Sequence, residues 1–317
     1  MIDSSPLFPA REPDAEGWLA RDHEHRIFWQ VAGPAGGIPV VVFHGGPGSG
    51  ASLAHWRFFN PERFRVVLFD QRGCGRSTPR GSLAANTTAH LIADAEALRH
   101  HLGLGPWWVV GGSWGAALAL AYAATHRESC RGLLLRGTFL TGHRDLDWFF
   151  RGAGALLPEA HAAFLAPVPK PRRRDPLAWY AKTLAGADEG AADLAVAHWQ
   201  AWEAALQGPA EAPTPLDVAD PALRAALRDK YRIQSAYLRR RCFLGEAAVL
   251  DCAARLHGLP TTLLHGRLDL VCRPINAWRI HQTLGGSQLT WVDGAGHDPF
   301  APEMAAAMVT AIQIIAD

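Results

Sequence analysis

The chain has 317 residues, 49% hydrophobic and 19% charged, with a formal net charge of +1, which suits a large soluble domain, or a domain with an insertion, built on a substantial core. That balance leaves no electrostatic footprint for nucleic acid or an acidic membrane, and the one basic cluster, at 170–174, is short, punctuated by prolines and reads as a solvated loop. No apolar run reaches the length of a membrane span, residues 1–14 lack the basic head and apolar core of a secretory signal, and five scattered cysteines with no C-x-x-C pair argue against a disulfide framework or structural zinc and for a reducing cytoplasm.

Loose alternation over 25–32, stopped by Gly33-Pro34, predicts an early strand and turn. Short apolar β-branched runs at 40–43 and 65–69 predict buried strands. The first ends in His44-Gly45-Gly46-Pro47-Gly48 and the second in Asp70-Gln71-Arg72-Gly73-Cys74-Gly75-Arg76-Ser77. Residues 87–102 place Leu91, Ile92, Ala95, Leu98 and Leu102 on one helical face, with Asn86 and Thr87 as candidate caps and Gly103 as the stop. A strand at 107–110, a buried helix at 114–125 and a strand at 131–135 follow. Strands alternating with helices imply a parallel, doubly wound α/β sheet.

The alternation breaks after Gly137. Residues 140–255 carry aromatic and Ala/Leu-rich segments at 148–150, 177–184, 191–206 and 221–243, separated by Pro-containing turns. They read as a helical cap inserted between two parts of the core, 1–139 and 256–317. The strand–helix pattern resumes with strands at 260–265 and 288–292 and helices at 274–284 and 300–315. In open parallel sheets, ligands sit beyond the carboxyl ends of the strands. That rule puts the 44–48 and 70–77 loops, Ser113, Asp269 and His297 on one rim.

Gly111-Gly112-Ser113-Trp114-Gly115 has the form Gly-x-Ser-x-Gly between a strand and a helix, a sharp turn that exposes a serine hydroxyl. Gly and Ser also fill ordinary turns, so the flanking strand and helix carry the distinction. Serine needs a base, and the base needs a carboxylate to fix its tautomer. Asp269 and His297 follow in the order Ser, Asp, His, each in a strand-end loop; Asp293 and Asp298, beside His297, are rival acids. Among the other histidines, His100 and His101 read as solvated on a helix and His265 as a core residue within a strand. The backbone N–H groups of Trp114 and Gly46 are candidates for an oxyanion hole. No metal-ligand spacing and no phosphate-binding Gly-Lys-Ser/Thr pattern is present, so no cofactor or metal is expected.

These strings, with Asn86-Thr87-Thr88, Arg136-Gly137-x-Phe139, Trp199-x-x-Trp202-Glu203, Gly266-Arg267-x-Asp269 and Ala295-Gly296-His297, resemble the proline iminopeptidases of the α/β-hydrolase fold over essentially the whole chain. The resemblance implies an enzyme that removes N-terminal proline from small peptides, with Ser113, Asp269 and His297 as its triad. It implies that Glu203 binds the substrate amine and that Phe139, Phe149, Phe150 and Cys272 line a small apolar pocket, although core packing accounts for these four as well. The chain departs from the pattern where a second acidic residue of an Ile-Glu-x-His-Tyr motif is replaced, in Ile233-Gln234-Ser235-Ala236-Tyr237. Trp148-Phe149-Phe150 also lacks a tyrosine hydroxyl, and Asp298 stands where serine is frequent. An amide at Gln234 removes a unit of charge, so an esterase or amidase acting on an uncharged small acyl group is the alternative, and a non-catalytic ligand-binding protein of the same fold is a third reading. Nothing in the sequence fixes an oligomeric state.

Overall fold

Apolar residues at adjacent positions of the central strands divide between two faces, as the pleat requires. Val41, Val67, Val109 and Leu133 join one buried cluster, and Val40, Val66, Val110 and Leu134 join another. The computed structural model describes residues 6–208 and 218–315. Eight strands form one sheet: β1 Ala15–Ala20, β2 Arg26–Ala32, β3 Ile38–Phe43, β4 Phe64–Phe69, β5 Trp107–Gly112, β6 Cys130–Arg136, β7 Thr261–Gly266 and β8 Gln288–Val292. Their order is β1-β2-β4-β3-β5-β6-β7-β8. β1 and β2 run antiparallel, and the pairings from β4 through β8 are parallel. The order turns back at β3, so the crevice at the ends of β3 and β5 is where a ligand is expected.

α1 Thr88–His101 buries Leu91, Ala95 and Leu98. Gly103, at φ +62°, closes it, its N–H donating to His100 O at 3.0 Å. Thr87 occupies the N-cap position without a side-chain cap bond. Asn86 is not a cap: its Nδ2 donates to Arg72 O and Ser82 O, and Tyr237 donates to its Oδ1, so it ties loops together. α2 Trp114–Thr125 is buried from Trp114 through Ala123, its small side chains letting it lie against the sheet. His100 and His101 are exposed and His265 is fully buried.

Between β6 and β7 lie α3 His143–Phe150, α4 Pro158–Phe164, α5 Pro176–Ala185, α6 Glu189–Gln207, α7 Pro221–Arg239 and α8 Gly245–Ala254. Asp175, Asp188 and Asp220 cap α5, α6 and α7, accepting from Ala178, Ala191 and Ala222 N–H. Proline begins α4, α5 and α7, where its missing N–H costs nothing. α7 stops at Arg239 instead of continuing to 243, because Arg241, Cys242 and Phe243 take φ near +50°. α5, α6 and α7 pack on one another, whereas α8 packs on α2 and α9 Pro274–Leu284. α10 Pro302–Ile314 covers the other face of the sheet. The 170–174 cluster is exposed. Among the described residues no helix is long and apolar enough to cross a membrane.

Candidate active site

Ser113 sits between β5 and α2 at φ 57°, ψ −121°, a conformation that costs a side-chain-bearing residue free energy and needs support. The support is steric and polar. A Cβ on Gly111 would lie 2.3 Å from Gly115 O, and one on Gly115 would lie 2.0 Å from Phe43 O. Ser113 N–H donates to Arg136 O at 2.9 Å. Trp114, the first residue of α2, has an N–H that the helix itself does not use.

The candidate base and acid come from the loops after β8 and β7. His297 Nδ1 lies 2.7 Å from Asp269 Oδ2. The other carboxylate oxygen accepts from Val271 N–H at 2.9 Å and Cys272 N–H at 2.8 Å. With Nδ1 donating to a carboxylate, Nε2 of the neutral ring is free to accept a proton. Burial works to raise the Asp269 pKa, but His297, His265 and the Cys272 N–H outweigh it, and the carboxyl stays below its ordinary value. Asp293 is 92% exposed and faces Arg267. Asp298 accepts from Phe300 N–H. Neither rival acid reaches the imidazole. Ser113 Oγ is turned toward Cys272 Sγ, at 3.8 Å, and among the described residues it forms no hydrogen bond with His297. Burial raises the Cys272 thiol far above its ordinary pKa, so that neighbour stays neutral.

The 44–48 loop is held from below. Gln71 N–H donates to His44 Nε2 at 3.0 Å, His44 Nδ1–H donates to Gly45 O at 2.9 Å, and the Gln71 amide donates to His44 O at 3.0 Å. Burial lowers the His44 pKa, which keeps the neutral tautomer this pattern needs. The Trp114 indole donates to Gln71 Oε1 at 3.0 Å, so one side chain bridges the first residue of α2 and His44 at the start of the 44–48 loop. Gly46 takes φ +110° and precedes a cis proline. A Cβ on Gly45 would stand 3.6 Å from Ser113 Cβ, which places this loop beside the nucleophile.

A cavity of about 190 Å³ joins these parts, and Ser113, His297, Gly46, Glu203, Gln234, Phe139, Phe149, Phe150 and Cys272 all line it. Asp269 and the Trp114 side chain lie behind its wall. Phe150 is 4% exposed and packs against Phe164 and Trp199, so its main contribution is to the cap's aromatic core. Gln234 Nε2 donates to Glu203 Oε1 at 2.6 Å, Trp199 Nε1 donates to the same oxygen at 3.1 Å, and the Tyr231 hydroxyl donates to Oε2 at 2.7 Å. The two cap residues therefore converge above Ser113.

Three residues acquire roles that sequence reasoning did not assign. Arg136 accepts from Ser113 N–H through its carbonyl and donates through Nη1 to His297 O at 2.5 Å, linking the nucleophile turn to the base loop. Gly112 leaves room for that guanidinium: its Cβ would lie 2.4 Å from Arg136 Nη2. Gly137, at φ +55°, leaves room for the His–Asp pair, since its Cβ would stand 3.2 Å from His297 Nδ1. The available signal was the Arg136-Gly137 string itself, directly after a strand. Among the described residues no group of three His, Cys, Asp or Glu side chains is gathered to hold a metal.

A family model for the alpha/beta hydrolase fold matches residues 38–303. A proline iminopeptidase of Xylella fastidiosa (strain 9a5c) is 39% identical over 313 residues, covering 96% of this chain and 97% of the relative. One of Neisseria gonorrhoeae is 37% identical over 312 residues, covering 98% of each. Among solved structures, that of VinJ superposes with a TM-score of 0.68 at 20% identity, covering 96% of this chain and 99% of the other. A hydrolase from Pseudomonas aeruginosa PA01 gives 0.65 at 18%, covering 95% and 99%. At those identities the structural matches speak to the fold alone.

Proposed function

The chain belongs to the α/β-hydrolases and, within them, to the proline iminopeptidase family, and from that premise we propose that it is a serine aminopeptidase releasing N-terminal proline from small peptides. Residues 140–255 act as the cap over the site, with α8 anchoring the end of that segment to the core helices. In this reading the Ser113 hydroxyl turns to His297 and attacks the carbonyl of the prolyl residue while Nε2 takes its proton. The tetrahedral oxyanion is received by Trp114 and Gly46 N–H groups, which are fixed before the charge develops. His297 then protonates the leaving amine, and water, activated by the same imidazole, hydrolyses the prolyl ester on Ser113. Asp269 holds the imidazole orientation and stabilises its cation. Glu203 and Gln234 receive the substrate's amine, while Phe139, Phe149 and Cys272 face its ring. Chemistry of this kind needs no cofactor. Free thiols at Cys74, Cys130, Cys242, Cys252 and Cys272 favour a reducing, cytoplasmic setting.

The observation that carries the proposal is the convergence of Glu203 and Gln234 in the cavity that also holds Ser113 and His297. The test compares wild-type kcat/KM for a prolyl arylamide with that for short acyl aryl esters. Prolyl turnover that is lost when the proline nitrogen is acylated supports the reading. Ester turnover far above any prolyl turnover, with N-acylproline bound as well as proline, supports the esterase alternative, which the amide at Gln234 favours.

A further inference from the structure

The amine end of the cavity already contains a cation. Lys230, on α7, lines the cavity, and its ammonium lies 3.7 Å from Glu203 Oε2. That separation gives Coulomb attraction without a hydrogen bond. The ammonium also sits 4.7 Å from the centroid of the Tyr231 ring, a second favourable contact for a positive charge. Its backbone is fixed: a Cβ on Gly48 would lie 2.5 Å from Lys230 O, so this turn of α7 rests on the 44–48 loop.

Glu203 has little capacity left. An ionised carboxylate offers about four lone-pair positions. Trp199, Gln234 and Tyr231 fill three of them with neutral donors. Burial, reinforced by Glu203, holds the Tyr231 pKa well above its ordinary value, so the phenol remains a donor. Lys230 covers what remains. Each anion of the lining already has a cation: Lys230 lies beside Glu203, and Asp145 is paired with Arg273 at 2.8 Å. A cavity balanced in this way is not a trap for cations. One acceptor does remain. Gln234 is 5% exposed and its Oε1 is buried with no partner among the described residues. Turning the amide over would aim that oxygen at the Glu203 carboxylate, so the acceptor stays directed away from Glu203.

We propose that Lys230 is a specificity-determining residue, an internal counter-ion that the N-terminal ammonium of the substrate must displace from Glu203. This rests on the aminopeptidase reading given above. The incoming nitrogen donates to Glu203 Oε2, while the lysine, 25% exposed, swings toward solvent. Binding then exchanges one cation for another, and the net gain from the charge is small. Lys230 therefore sets how tightly the amine is held and leaves the acyl-transfer step alone.

The test uses Lys230→Met and Lys230→Arg, with two readouts. The first is steady-state kinetics on a prolyl arylamide. The second is inhibition by prolinamide of the hydrolysis of an aryl butyrate ester, which has no amine and reports the amine site whether or not prolyl substrates turn over. Lys230→Met is expected to lower KM for the prolyl arylamide, and Ki for prolinamide, by about tenfold, roughly the value of one charge-assisted contact. The change is expected in KM and Ki rather than in the prolyl kcat, and Lys230→Arg should behave as wild type. An unchanged or weaker Ki in Lys230→Met overturns the proposal. So does a loss of ester turnover in Lys230→Met that Lys230→Arg does not share, since that makes the lysine structural. A wild-type enzyme that hydrolyses the ester and never the prolyl arylamide contradicts the aminopeptidase reading instead, with the prolinamide Ki still reporting on Lys230.

Discussion

Gln234 stands where the family motif has a glutamate, and its surroundings explain what the exchange does. Its amide donates to Glu203 at 2.6 Å, which orders the empty site, while its oxygen waits without a partner. Gln234→Glu would bring two carboxylates together at hydrogen-bond distance, where both cannot ionise without a cation between them. We expect kcat/KM for a prolyl arylamide to rise about tenfold and Tm to fall in the same variant. Calorimetry and steady-state kinetics check both, and an unchanged kcat/KM would remove Gln234 from the amine site. At this scale the grouping of Ser113, Asp269 and His297 at one site was legible in the sequence, because each sits in a Gly-containing turn that closes a predicted strand. Lys230 was not legible. It lies between Arg228 and Arg232 on an amphipathic helix, and only the placement of α7 over the 44–48 loop turns it inward. Nor was the current rotamer of Ser113, which a side-chain torsion decides.

Among the elements, α1 and α2 are joined by a polar knot that sequence periodicity does not show. Glu96 of α1 accepts from Arg99 at 2.6 Å, from the Tyr122 hydroxyl of α2 at 2.6 Å and from Ser129 at 3.0 Å. Burial works to raise the Glu96 pKa, but these three partners overcome it and pull the carboxyl from 4.5 down to about 2. A carboxylate whose folded pKa is depressed binds fewer protons folded than unfolded between the two values. Its contribution to stability is complete above about pH 4.5 and is lost as the pH falls toward 2. The Tm of Glu96→Gln should therefore lie below that of wild type at pH 7, with the gap closing between pH 4.5 and 2. A gap that stays constant through that window would mean Glu96 acts by packing alone. Helix α1 itself was readable from Leu91, Ala95 and Leu98. Strand β1 was not: an edge strand with an exposed or half-buried pattern throughout has no apolar alternation to read. The end of α7 was misread because the left-handed turn at 241–243 involves no glycine.

For the molecule as a whole, the parallel order from β4 to β8 delivers the loops after β3, β5, β7 and β8 to one rim, and β6 adds the Arg136 link beneath them. The cap is tied to that rim and its neighbouring loops at several points, among them Arg273 on Asp145 at 2.8 Å and Tyr237 on Asn86 at 2.8 Å. Trp148 of α3 donates its indole N–H to Leu270 O at 2.7 Å, beside the acid loop, and Lys230 O rests on Gly48. The strand-end motifs therefore pointed to the reaction class and the cap motifs to Glu203 and Gln234 as candidate amine-binding residues, while the contacts of Glu203 with Gln234 and Lys230 emerged only in three dimensions. The most direct measurement of the central claim is the release of N-terminal proline from a prolyl arylamide by wild type and by Ser113→Ala. The account predicts measurable wild-type kcat/KM and a loss of at least about a thousandfold in the variant, in the range seen when a triad nucleophile is removed. A variant that retains wild-type release of proline would contradict it.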